Sequence, residues 1–108
     1  MGKASKRKGS TGERELLGIL QQYGDAHRNE QRFIGGSGNP DIAFCHGPHR
    51  FHVEAKRVER LNLHAAMQQA ERDAVEGFTP IVMHRRNREP WYATIALSDF
   101  LTILEGKS

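Results

Sequence analysis

Cysteine is almost missing from this sequence. Cys45 stands alone, so no disulfide forms within the chain, and a reducing, cytoplasmic setting is expected. Its bland role is that of a small buried apolar residue. Long hydrophobic runs are missing too: none approaches the roughly 20 residues that a membrane-spanning helix needs. The N-terminus is basic but lacks the apolar stretch of a secretory signal. At 108 residues the chain has no room for two independent cores, so we expect a basic tail over residues 1–9 and a single domain over 10–108. Hydrophobic residues make up 37% and charged residues 27%, the balance of an ordinary globular protein.

What is present is basic charge, unevenly placed. The formal net charge is +3. Lys3, Lys6, Arg7 and Lys8 crowd the N-terminal tail, and His84, Arg85, Arg86 and Arg88 form a second cluster. Such clusters draw phosphate backbones through counterion release, although a basic tail is equally a solvated end.

Periodicity outlines the elements. Ser10 or Thr11 can cap a first helix in which Leu16, Leu17, Ile19, Leu20 and Tyr23 recur at helical spacing up to Gly24. A polar stretch leads to Gly35-Gly36-Ser37-Gly38-Asn39-Pro40, the strongest loop signal in the chain. Strands are expected over 41–45 and 50–56, joined through Gly47-Pro48 as a hairpin. In the second of these, Phe51, Val53 and Ala55 point one way while His52, Glu54 and Lys56 point the other. Leu63, Met67, Ala70, Ala74 and Phe78 mark a second helix ending near Gly77. Strands over 79–83 and 91–97 follow, and Ser98 is expected to cap a last helix carrying Phe100, Leu101, Ile103 and Leu104. The expected class is α/β: a mixed central sheet flanked by helices, in the order α-β-β-β-α-β-β-α.

One constellation suits phosphodiester hydrolysis. That reaction wants a hard divalent ion on carboxylate oxygens to neutralise the phosphate and acidify an attacking water, with a cation nearby to orient it. Asp41 sits at the mouth of the glycine-rich loop, where backbone can approach a phosphate. Glu54 and Lys56 lie on one face of the next strand, so pairing of the two strands lets Asp41 and Glu54 converge on one ion, with the Ala55 carbonyl as a further hard ligand. By themselves the residues have simpler readings: Asp41 as a turn residue, Glu54 with Lys56 as a surface ion pair.

The order of motifs weighs toward the chemistry. Pro40-Asp41 followed by Glu54-x-Lys56 on a strand, then a helix, resembles the PD-(D/E)xK nuclease superfamily. Within it, Lys8-Gly9-x-x-x-Glu13-Arg14-Glu15-Leu16 resembles the opening of archaeal-type Holliday-junction resolvases, as does the run from Arg32 through the Gly-Gly-Ser-Gly loop to Asp41. The chain departs from that pattern in a longer segment between Glu13 and Asp41 and in its second half. There, Met67-Gln68-Gln69-Ala70-Glu71, Pro80 to Arg86 and Trp91 resemble small resolvase-type nucleases of bacteriophages and the virus-type replication-repair nucleases.

The resemblance implies a restriction-endonuclease-like fold and Mg²⁺-dependent cleavage of branched DNA in recombination, replication or repair, with Mn²⁺ substituting and 5′-phosphate products. It implies a homodimer with paired active sites, working in the cytoplasm of a bacterial or phage-infected cell. The implied site is Glu13, Asp41, Glu54, Lys56 and Gln69, with Glu13 reaching the ion directly or through water. Gln68 is the alternative to Gln69. DNA contacts fall to Lys6, Arg7, Lys8, Arg14, Arg32, Ser37, Arg85 and Arg86. Taken structurally, Glu13 is a helix first-turn acid favouring the dipole, and the glutamines are solvated positions.

Cys45, His46, His49 and His52 invite a zinc reading, but all crowd one hairpin rather than pairing two motifs across a gap. His52, on the face of Glu54 and Lys56, is expected to line the DNA groove. The competing functions are a less selective virus-type nuclease or nickase and a non-catalytic basic nucleic-acid-binding module. A carboxylate pair near phosphate argues against the last, because without a metal it only repels.

Overall fold

Alternating side chains along one central strand build two different layers, and the rest of the fold closes over them. A computed structural model of the chain describes residues 12–28 and 41–106. Helix α1 covers 12–20. It is followed by β1 (Asp25–Arg28), β2 (Asp41–His46), β3 (His49–Arg57), α2 (Leu63–Asp73), β4 (Thr79–Arg85), β5 (Tyr92–Ile95) and α3 (Leu97–Leu104). The strands form one five-stranded sheet in the order β1-β2-β3-β4-β5. The β3–β4 pair is parallel and the other neighbours are antiparallel. The architecture is therefore mixed α/β, a five-stranded mixed sheet flanked by helices.

The β2–β3 hairpin turns at Gly47, whose φ of +56° lies in the left-handed region that glycine tolerates. Its register sets Ile42 opposite Val53 and Phe44 opposite Phe51. These side chains share one face and bury with Leu16 and Leu20 of α1, Ala26 of β1 and Ile81 of β4. Ala55, Met83 and Trp91 pack around that core. On the other face Val82 meets Ala66 and Ala70 of α2. The small alanines let α2 lie close to the strands it bridges, and a parallel pair requires such a crossover. Asn62 starts α2 by accepting the Ala65 amide at 3.0 Å.

Several expected boundaries move. Strand β1 lies in the polar stretch where the spacing of apolar residues marks no strand. Its Ala26 is 5% exposed, and pairing with β2 defines it. Gly24 precedes it where a Cβ would collide with the Cys45 carbonyl oxygen, so the backbones approach only because the residue is glycine. Helix α2 stops at Asp73 rather than near Gly77. Ala74 turns extended, and the Phe78 amide bonds to Val75 as the chain reverses, since β4 must begin with Thr79 beside Phe51.

The last strand is shorter than expected, Tyr92–Ile95, and α3 is capped by Ala96 without a side-chain bond. Ser98 lies inside that helix, where its carbonyl accepts from the Thr102 hydroxyl at 2.9 Å. Cys45 is partly exposed rather than fully buried, because it sits on the hairpin face away from Ile42 and Phe44. Among the described residues no helix is long and apolar enough to cross a membrane.

Helix α3 buries none of its residues. The two ends of the apolar inventory should therefore respond differently to truncation. Ile42→Ala, at 0% exposure, is expected to cost about 3 kcal/mol in urea unfolding. Leu104→Ala, at 65%, should stay within roughly 0.5 kcal/mol of the parent. Equal losses would contradict this placement of the core.

Candidate metal centre

The face of β3 turned away from the α1 core carries His52, Glu54 and Lys56. It does so because Phe51, Val53 and Ala55 are drawn into that core and side chains alternate along a strand. Across the ladders Glu54 neighbours Val82 of β4, and the Cα of Asp41 stands opposite it on β2. Glu54 is 0% exposed, and both its carboxylate oxygens are buried with no hydrogen-bond partner among the described residues.

The nearest basic groups among the described residues stand just outside hydrogen-bond distance. Lys56 Nζ is 3.9 Å from Oε1, and His52 Nε2 is 3.8 Å from Oε2. Burying a carboxylate without donors costs free energy that a neighbour at this range does not fully return. A cation on those oxygens would remove the cost.

Asp73 comes to the same place from α2. Ala66 and Ala70 seat the helix on Val82, and Asp73 follows Ala70 by three positions, on the same stripe. One donor atom from each of His52, Glu54 and Asp73 lies within 4.8 Å of the others, the only such group among the described residues. Gln69 precedes Asp73 by one turn and is half-buried, whereas Gln68 is exposed. The helical stripe thus favours Gln69 over Gln68 for any inward role.

The structure sorts the remaining expectations. Glu54 and Lys56 are together, Asp41 begins β2 opposite Glu54, and Ala55 lies between Glu54 and Lys56 with its methyl in the core. Glu13, 2% exposed on α1, is paired with Arg28 Nε at 2.7 Å. Arg28 is a partner that no sequence pattern singles out. Glu13 thereby belongs to the α1 layer and Glu54 to the α2 layer. His52 is 4% exposed beneath α2 and so does not line an open groove, contrary to expectation.

The zinc grouping is not assembled. The His46 Nδ1 meets the Tyr23 carbonyl at 2.6 Å, His49 lies beside Phe51, and Cys45 stands apart from both. Arg14 and Arg86 are exposed. Arg85 donates to Glu15, which also accepts from Trp91 Nε1 at 3.0 Å. The Arg85 bond, opposed by desolvation and helped by Trp91, holds Glu15 below the usual carboxylate range. Lys6, Arg7, Lys8, Arg32, Ser37 and the glycine-rich loop lie outside the described residues.

A cleft of about 380 Å³ opens at the carboxyl ends of the parallel strands, lined by Val58, Leu61, His84, Arg85, Arg86 and Tyr92. Burial pushes the His84 imidazole below its ordinary pKa, and its Nε2 meets the Thr94 hydroxyl at 2.9 Å. His84 neighbours Lys56 across the ladder, so the cleft, which Glu89 also lines, continues from the Glu54 face.

Comparison with known proteins finds no matching family model, no matching curated protein and no matching solved structure. The site is therefore read from its own geometry. If Glu54 carries an uncompensated charge, Glu54→Gln should fold more stably than the parent in chelator by about 1 to 3 kcal/mol. Thermal or urea unfolding measures this, and a variant less stable than its parent would show that Lys56 and His52 already satisfy the carboxylate.

Proposed function

We propose that this chain is a Mg²⁺-dependent, structure-selective DNA endonuclease of the resolvase-like type, within the PD-(D/E)xK superfamily. The observation that carries the reading is the buried Glu54 carboxylate, without a donor among the described residues, beside Lys56, with Asp41 set opposite it in the β2–β3 ladder. The finer assignment of the sheet as restriction-endonuclease-like is part of the proposal. It is supported by an antiparallel β1–β2–β3 meander followed by a helical crossover to a parallel β4.

Asp41 and Glu54 would hold the ion in this reading, with the Ala55 carbonyl as a further ligand, whereas Glu13, paired with Arg28 in the α1 layer, would stand apart from it. The ion, Mg²⁺ or Mn²⁺, supplies charge neutralisation at the phosphate and a more acidic water. Lys56, whose Nζ stands 3.9 Å from Glu54 Oε1, orients that water. The water oxygen forms the new bond to phosphorus, the bond from phosphorus to the 3′-oxygen breaks, and that oxygen takes a proton. The products are a 5′-phosphate and a 3′-hydroxyl. Arg14, Arg86 and the tail residues Lys6, Arg7 and Lys8 serve the phosphate backbone, with Arg32 and Ser37 beside the glycine-rich loop. Arg85 contributes less because Glu15 already engages it.

A second reading, a less selective virus-type nuclease or nickase, is favoured by one observation: Gln69 is half-buried on α2, the helix over the Glu54 face. Cleavage of an immobile four-way junction beside matched duplex and flap substrates separates the two. Preferential junction cutting is expected, and Asp41→Asn or Lys56→Ala should each slow it by roughly 100-fold or more while binding persists. Equal cutting of all substrates would favour the less selective nuclease. Binding without cutting in Mg²⁺ or Mn²⁺ would leave only the non-catalytic module.

Two strands of a junction need two active sites, and α3 offers a surface for a second copy of this chain. Leu97, Phe100, Leu101 and Leu104 are all exposed there at 45% or more. Sedimentation should give a dimer at micromolar concentration, and Leu101→Glu with Leu104→Glu should give a monomer of unchanged fold. A monomeric parent would remove the paired-site reading.

A further inference from the structure

We propose that His52, Glu54 and Asp73 form a second divalent-cation site, suited to a transition ion such as Mn²⁺ or Zn²⁺, distinct from the Asp41–Glu54 site proposed above. It rests on that reading only in taking Glu54 as a metal ligand.

Three features lead there. The donor atoms already cluster: one each from His52, Glu54 and Asp73 lies within 4.8 Å of the others. Ligands held about 2.1 Å from an ion lie roughly 3 to 4 Å from one another, so small side-chain rotations close the set. The His52 Nε2 to Glu54 Oε2 separation of 3.8 Å is within that spacing already.

The buried carboxylate is aimed at the cluster. Glu54 has no solvent contact and no hydrogen-bond partner among the described residues. Its two oxygens also face different neighbours. Oε1 is the one nearest Lys56 Nζ, at 3.9 Å, and Oε2 is the one nearest the imidazole. The ammonium therefore stands nearest one oxygen and the imidazole nearest the other, and a second carboxylate, that of Asp73, brings an oxygen within 4.8 Å of the Glu54 donor atom in the cluster. Two carboxylates closing on one point repel unless a cation stands between them.

The donor set selects the ion. An imidazole nitrogen with two carboxylates suits Zn²⁺ or Mn²⁺ better than Mg²⁺, which prefers oxygen and keeps its waters. Asp73 is the last residue of α2, and β3 runs through the middle of the sheet. An ion here ties the end of the crossover helix to the central strand and fixes the rotamer of Glu54 from the side opposite Lys56.

The test is metal binding by the full chain without DNA. Titration with Co²⁺ should produce a saturable visible absorption band. His52→Gln and Asp73→Asn should each weaken it by at least about tenfold, while Asp41→Asn retains it. In the parent, Zn²⁺ should shift the ¹⁵N resonances of the His52 imidazole, a measurement that needs no variant to fold. The proposal is overturned if His52→Gln and Asp73→Asn bind Co²⁺ as the parent does, if Asp41→Asn abolishes the band, or if Zn²⁺ leaves the His52 resonances unmoved. The two readings fail separately. A chain that cuts junctions with Mg²⁺ but gives no band loses this site and keeps its nuclease reading. One that gives the band but cuts nothing does the reverse.

Discussion

Beneath α2, a carboxylate is held in the middle of a sheet, out of solvent contact and without a hydrogen-bond donor among the described residues. Glu54 cannot escape by rotating outward, because Val53 and Ala55 on either side are committed to the opposite core and the strand alternates. It cannot reach β1 or β5, because β2 and β4 flank its strand. What surrounds it follows from that constraint. Lys56 and His52, two positions away on the same face, stand just under 4 Å off, and α2 brings Asp73 rather than an apolar side chain over the top. Such a burial is costly in isolation, and in the proposed reading a divalent ion would supply the counter-charge.

The two faces of the sheet are filled differently. The α1 face is filled by Leu16, Leu20, Ile42, Phe44, Val53 and Ile81, the contacts that hold the fold. The α2 face is thin, with Val82, Ala66 and Ala70 at its centre and charged groups around them. Small residues there give little apolar stabilisation but permit the close approach that places Asp73. At the far end of the sheet, Glu15 binds both Arg85 and Trp91, which fastens α1 to β4 and to the start of β5. The cleft beyond it opens at the carboxyl ends of β3 and β4.

Particular elements show how far the sequence could be read. The β2–β3 hairpin and the alternation of Phe51, Val53 and Ala55 against His52, Glu54 and Lys56 were legible, since both follow from turn chemistry and a two-residue period. The class was legible from the sequence of helical and strand periods. The expected order counted a third strand before the second helix, but its position was not legible: with Ala26 as its single core residue β1 carries no pattern, and only the β2 partner makes it a strand. Asp73 was missed because the apolar spacing through Ala74 and Phe78 extends the helical signal past the true end of α2. Arg28 was missed because an arginine in a polar stretch looks like any other.

By itself, then, the sequence determined which side chains share a face with Glu54, because covalent geometry enforces alternation whatever the chain later packs against. It also brought Asp41 opposite Glu54, through the length of the hairpin. Only the tertiary structure decided that Glu54 would be buried without a donor, that His52 would be covered rather than lining a groove, and that Asp73 would complete a cluster with both. Those outcomes depend on where α2 settles on the sheet, a packing of residues distant in the chain that no local period encodes.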